Sequence, residues 1–232
     1  MKLVVFGANG PTGRQVVRQA LAAGHDVTAV TRRPADYPVT APRLRVVGAD
    51  VTDADRVRHA LAGSETAIST YGVPYSRHRI TVYSEGVANI IAGMRHHGMT
   101  RLVCVTSTSI APGEAPGESL FWRKALVPLL RNVVGRTLYD DMQRMEATVR
   151  RSDLDWTIVR PGGLFDTADV TGDYAVSAAR LTGRMTSRAD LAQTLIVEAV
   201  EHRHPRSTIE VITRSQLPGI RRFFTEAFGI GT

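Results

Sequence analysis

The first 31 residues limit the fold more than any other part of the chain. Leu3-Val4-Val5-Phe6 is a strand-sized apolar run that ends in Gly7-Ala8-Asn9-Gly10-Pro11-Thr12-Gly13. A helical pattern follows at once, with Val16, Val17, Ala20, Leu21 and Ala23 at helical spacing and Gly24 where a C-cap glycine belongs. A second β-branched run, Asp26 to Thr31, closes a strand-helix-strand unit. Two strands joined by a helix lie parallel in one sheet with a right-handed crossover, so an all-helical or all-antiparallel fold is excluded. The glycines at 7, 10 and 13 carry separate tasks. The first permits a tight turn, the second lets backbone amides approach a phosphate, and the third lets the helix pack on the strand.

The same alternation continues. Further strands are predicted near 44–48, 66–70, 101–107, 155–160 and 208–212, after the first two at 2–7 and 26–31. Thr52-Asp53 caps a helix through Val57 and Leu61 to Gly63, and another helix spans about Ser84 to His97. The two Pro-Gly pairs between Ala111 and Gly117 read as a surface loop. A helix begins near Ser119 and breaks at Pro128, and a longer one covers Leu138 to Arg151. Ser187 caps a last helix that turns Leu191, Leu195 and Ala199 inward, and the stretch from Asp166 to Met185 reads as irregular and polar. The pattern predicts an α/β, doubly wound Rossmann fold: a mainly parallel sheet of about seven strands with helices on both faces. One domain spans 1–232, with a small substrate-side part formed by about 108–137 and 161–187.

Composition narrows the function. With 43% hydrophobic residues in 232, the chain supplies a core without staples. Cys104 is the only cysteine and sits in an apolar run, which suits a reducing compartment and leaves no internal disulfide or multi-cysteine zinc site. No metal site is expected. The apolar runs are strand-sized, and Met1-Lys2 leads directly into the first strand, so a cytoplasmic protein without membrane insertion is expected. The net charge is +7, yet lysine occurs only at 2 and 124, and the arginines are scattered among 22 acids. That distribution points away from nucleic acid.

The residues that read a dinucleotide's second phosphate belong about 20 positions beyond the glycines, at the tip of the second strand. An acidic side chain there would accept the ribose hydroxyls of NAD. The tip reads Thr31-Arg32-Arg33-Pro34, and a guanidinium grips a 2′-phosphate through forked hydrogen bonds. NADP(H) is therefore predicted over NAD(H), with Arg32 as the main contact and Arg33 second. Asp50, followed by Val51, is placed either to meet the adenine amino group or to cap the next helix. Ser69, Thr70 and Tyr71 end the fourth strand beside the ribose and pyrophosphate.

These segments, with Arg101 to Ser107 and Leu154 to Gly162, resemble the atypical short-chain dehydrogenase/reductases. The resemblance is to the NAD(P)H-binding group that includes NmrA-type proteins and biliverdin/flavin reductases. It implies that Ser107 lies near the nicotinamide, with Thr106 and Pro161 on the coenzyme side. Full catalytic equipment in that family pairs a tyrosine with a lysine four residues on. Tyr139 matches the tyrosine, but Gln143 stands where the lysine would be, and an amide supplies no positive charge to stabilise tyrosinate. Tyr139 thus fits a helix face better than a proton donor. Glu146 is expected to hold the backbone or Arg160. Substrate walls are expected from Tyr71, Val73, Tyr75, Ile110, Leu120, Phe121, Trp122, Gly163, Leu164 and Phe165. The function implied is an NADPH-dependent reductase of a small conjugated acceptor such as a quinone, flavin, enone or ketone. The alternative is a non-catalytic NADP(H) sensor of the NmrA type. Related folds often pair the long helices near 84–97 and 138–151, so a monomer or homodimer is expected.

Overall fold

A computed structural model describes residues 1–76, 78–112 and 135–218. Along these the chain forms β1 (Lys2–Phe6), α1 (Pro11–Ala22), β2 (Asp26–Thr31), β3 (Leu44–Gly48), α2 (Ala54–Leu61), β4 (Thr66–Ser69), α3 (Val82–His96) and β5 (Arg101–Val105). A 3₁₀ turn (Thr108–Ile110) follows. Then come α4 (Arg136–Arg151), β6 (Asp155–Pro161), β7 (Gly163–Phe165), β8 (Tyr174–Ser177), β9 (Met185–Ser187), α5 (Arg188–Glu201) and β10 (Ser207–Thr213).

Eight strands make one sheet in the order β3-β2-β1-β4-β5-β6-β10-β8, parallel except where β8 runs antiparallel to β10. The chain winds outward from β1 to β3 and then crosses to β4 on β1's other side, where Phe6 pairs with Ser69. The C-terminal ends of β1 and β4 therefore diverge into a crevice, the place where open α/β sheets bind ligands.

Layering follows from which faces are apolar. Leu3, Val4, Val5 and Phe6 are all 0% exposed, so β1 is covered on both sides and shows no alternation. On one face, Val16, Val17 and Ala20 of α1 join Leu191, Leu195 and Ala199 of α5 over Leu3, Val5 and Val103. On the other, residues of α2, α3 and α4, among them Leu61, Ile90, Met94 and Met145, cover Val4, Phe6, Leu102 and Cys104. Cys104 is fully buried, and burial pushes its thiol well above the ordinary range, so it acts as a small apolar side chain.

The expected mainly parallel sheet of about seven strands is present with eight, because β8 adds an antiparallel edge. Two other sequence expectations need correction. The stretch 166–185, read as irregular, holds β8, and beyond it β9 pairs with β7 in a separate two-stranded sheet. These strands are three or four residues long, too short to display a period of two. The third helix starts at Val82 instead of Ser84. Its N-cap, Thr81, makes no side-chain cap. Asp141 of α4 caps it instead, accepting from the amides of Tyr83 (2.8 Å) and Ser84 (3.3 Å). A cap supplied from 57 residues away leaves no local signal. The helix expected from Ser119 and most of the Pro-Gly loop lie outside the described residues.

Candidate functional site

The glycine loop is tightly determined. Gly7 has φ +79°, and a Cβ there would lie 2.5 Å from the Tyr71 backbone. A Cβ on Gly13 would lie 2.2 Å from the Gly7 carbonyl oxygen, so α1 rests directly on the loop. The Gly10 amide donates to that same oxygen at 3.0 Å. Gly10 is the N-cap of α1 and Pro11 opens its first turn, and among the described residues no side chain caps this helix start. That leaves the helix's positive end for a ligand. Asn9 is fixed by Arg14, whose Nε donates to its Oδ1 at 3.0 Å.

In front of this loop lies a cleft of about 390 Å³ at the crevice between β1 and β4. Gly7, Asn9, Gly10, Arg32, Arg33, Asp50, Val51, Thr70 and Tyr71, each singled out from sequence, line it together. Gly72, next to Tyr71 at the end of the fourth strand, lines it too, and Val30, Thr31, Ala49 and Val82, which sequence reasoning passed over as lining residues, complete much of the wall. Their signal was position alone, at strand ends or the start of α3. Arg32 and Arg33 are exposed, and neither guanidinium forms an ion pair among the described residues. Thr31 shapes this tip by accepting from the Arg33 amide at 3.2 Å. Asp50 accepts from the Thr52 amide (3.0 Å) and hydroxyl (2.8 Å). Those bonds, aided by Arg32 nearby, hold its carboxyl below the usual range. It does not cap α2, as one reading allowed. Asp53 does, accepting from the Arg56 amide at 3.0 Å. The Val51 carbonyl is held by Asn89 at 2.9 Å.

Other expected coenzyme contacts sit outside the lining. Thr12 and Gly13 are buried in the first turn of α1, and Ser69 and Pro161 are buried at their strand ends. Thr106 is buried, and its hydroxyl donates to Glu146 Oε1 at 2.8 Å. Glu146 is 2% exposed and also takes both Nε (2.8 Å) and an Nη (2.6 Å) of Arg160, so it is a structural anchor, as expected. Ser107 lies at the end of β5, half-buried, and its Oγ accepts from the Ser109 amide at 3.1 Å, which leaves its O–H to donate.

Of the residues expected to wall a substrate, Tyr75 is 46% exposed and Gly163 is exposed. Ile110 and Phe165 are buried as core, and Leu164 is half-buried and packs against the cluster beneath α1 and α5. Leu120, Phe121 and Trp122 lie outside the described residues. Tyr139 is 8% exposed, and its hydroxyl meets that of Tyr75 at 2.9 Å, a pairing that sequence spacing did not reveal.

No helix among the described residues is long and apolar enough to cross a membrane, and no group of three or more His, Cys, Asp or Glu side chains there is arranged to hold a metal.

A glycine-bordered helix start facing a cleft where the strand order reverses defines a dinucleotide-binding Rossmann protein. The chain belongs to the NAD(P)H-binding family, whose sequence profile matches residues 7–203. It is 28% identical over 236 residues to an uncharacterised chloroplastic protein of Arabidopsis thaliana, covering 98% of this chain and 81% of that protein. Among solved structures it resembles an anaerobillin reductase of Escherichia coli, with TM-score 0.70, 23% identity and coverage of 94% and 100% of the two chains. It also resembles a wide-type short-chain dehydrogenase/reductase of Veillonella parvula solved in complex with NADP, with TM-score 0.76, 17% identity and coverage of 92% and 95%. At these identities the structures share the fold.

Proposed function

We propose that the protein is an NADPH-dependent reductase of a small, flat, conjugated acceptor. The observation that carries this reading is the cleft, where helix-start amides, a cradle with no room for a Cβ and two exposed arginines face one space. The Gly7–Gly10 loop and the start of α1 would hold the pyrophosphate, and Arg32 with Arg33 the 2′-phosphate. Asp50 and Val51 would border the adenine, and Thr70 and Tyr71 the ribose side. Bound there, reduced nicotinamide supplies the hydride. Ser107 would donate a hydrogen bond to the acceptor oxygen, and the loop after β4 would help shield the reacting atoms from water. Holding two reactants in contact supplies much of the rate for such chemistry, and a delocalised acceptor asks little of a proton donor. The reductase named among its structural relatives, from E. coli, supports the same class. A cytoplasmic location fits the single buried thiol.

The lack of a lysine four residues after Tyr139 favours the second reading, a coenzyme sensor without turnover. One experiment separates them: purified protein is mixed with NADPH and a panel of quinones, flavins, enones and ketones. A reductase oxidises NADPH with at least one of them. A sensor binds the coenzyme, distinguishes its oxidised and reduced forms, and consumes none.

A further inference from the structure

We propose that Tyr75 and Tyr139 form a two-phenol proton relay, in which Tyr75 stands in for the missing lysine by donating a hydrogen bond to Tyr139. This rests on the reductase reading and names the group that delivers the proton.

The two hydroxyl oxygens are 2.9 Å apart, and the rings meet edge to face with centroids at 6.2 Å. The chain is shaped around the pair. Gly135 precedes α4, and a Cβ there would lie 2.5 Å from Tyr139 Cε2 and 2.9 Å from Tyr75 Cε1, so any larger residue displaces one ring. Thr137 donates to the Ser76 carbonyl at 2.7 Å and ties the loop after β4 to the first turn of α4. Both tyrosines lie at the C-terminal edge of the sheet, where the cleft opens. Tyr139 belongs to the same packed cluster as Tyr71 and Val73, which line that cleft.

The two phenols differ in what they touch. Tyr139 is 8% exposed and Tyr75 is 46% exposed, so one faces inward and the other meets water. A proton path from solvent to a dry site has that order. As an acceptor carbon takes the hydride, its oxygen takes the proton of Tyr139. The oxygen of Tyr139 takes the proton of Tyr75, and Tyr75 recovers one from water. One hydride and one proton are added, NADPH is oxidised, and no other reactant is needed. A lysine would stabilise developing tyrosinate by charge, whereas a phenol stabilises it by a hydrogen bond to the charged oxygen. Tyr75 remains a donor through neutral pH, because burial of its ring and the neighbouring Tyr139 both push its ionisation upward.

Tyr75 is thus a positioning and relay residue, and Tyr139 touches the acceptor. The test compares wild type, Tyr75→Phe and Tyr139→Phe with NADPH and two acceptors, an aromatic ketone that needs a proton at oxygen and a quinone that needs it less. Tyr139→Phe should cut kcat on the ketone by about 100-fold or more, the scale of a general acid. Tyr75→Phe should cut it by about 10-fold with NADPH affinity unchanged, and the quinone should lose far less in both. In parallel, the ring-carbon NMR signal of Tyr75 is titrated, and Tyr139→Phe should bring its midpoint back toward the ordinary phenol value of about 10. If wild type turns over and Tyr75→Phe keeps its kcat on the ketone, the relay is wrong and the reductase reading stands. A Tyr75 titration that ignores Tyr139→Phe removes the hydrogen bond itself. Wild type inert toward every acceptor overturns the reductase reading and the relay with it.

Discussion

The β1–β3 side of the sheet and the β5–β10 side are held by different forces. Around the glycine loop the buried polar side chains are hydroxyls, Thr12, Thr28, Thr31 and Ser69, and the fixed points are backbone contacts that only glycine permits. Every buried carboxylate among the described residues lies at 141 or beyond: Asp141, Glu146, Asp190, Glu198 and Glu210. Four of them accept from groups far along the chain, and Glu198 accepts from nearby His204 and pairs with Arg101 of β5. Asp190 takes the amide and hydroxyl of Thr171 and the hydroxyl of Thr213, and Glu210 takes Arg180 and the Leu181 amide. The β1–β3 side is therefore specified by backbone shape. The β5–β10 side is specified by buried charge whose partners must all arrive.

If so, the largest loss of stability should come from the second side. Glu146→Ala strips Arg160 and Thr106 of their acceptor and leaves a buried guanidinium unpaired, so denaturant unfolding should report a loss of about 3–5 kcal/mol. A loss no larger than that of a surface substitution would erase the contrast. On the first side, Arg32→Ala should leave stability intact and cost about 1.5–3 kcal/mol of NADP affinity, with NAD affinity almost unchanged in calorimetry. Equal losses for the two coenzymes would make Arg32 ordinary surface charge. Asp53→Ala removes the cap of α2 and should cost about 1 kcal/mol in thermal unfolding, well below Glu146→Ala.

The smallest effect is a pH dependence. Tyr37 reaches the glycine loop, where its hydroxyl meets the Ala8 carbonyl at 3.4 Å, and burial pushes its phenol up to about 12. The folded protein therefore keeps a proton that the unfolded chain releases near about 10. That contribution is whole below about pH 10 and is lost as pH rises toward about 12. Tyr37→Phe should flatten part of the alkaline decline in melting temperature over that window. An unchanged decline would show that Tyr37 titrates alike in both states.

What sequence could reveal follows the same division. The glycine loop, the arginine tip of β2 and the Asp53 cap are readable because each acts within a few residues of itself. The seven principal strands are readable because their apolar runs are long enough to show. Asp141 capping α3, the Glu146 anchor's full set of partners, β7 to β9 and the Tyr75–Tyr139 pair join positions up to 64 residues apart, and no period encodes such distances. Burial competes with function as a guide: Ile110 and Phe165 suited a pocket wall by composition and are buried in the core.

Titration calorimetry of the intact protein with NADPH and, separately, NADH addresses the coenzyme cleft most directly. The arrangement of amides and arginines predicts binding of both, with NADPH tighter by about ten-fold or more, the ratio that one charge-assisted contact supplies. Equal affinity for the two would contradict the role given to Arg32 and Arg33, and heat from neither would contradict the cleft itself.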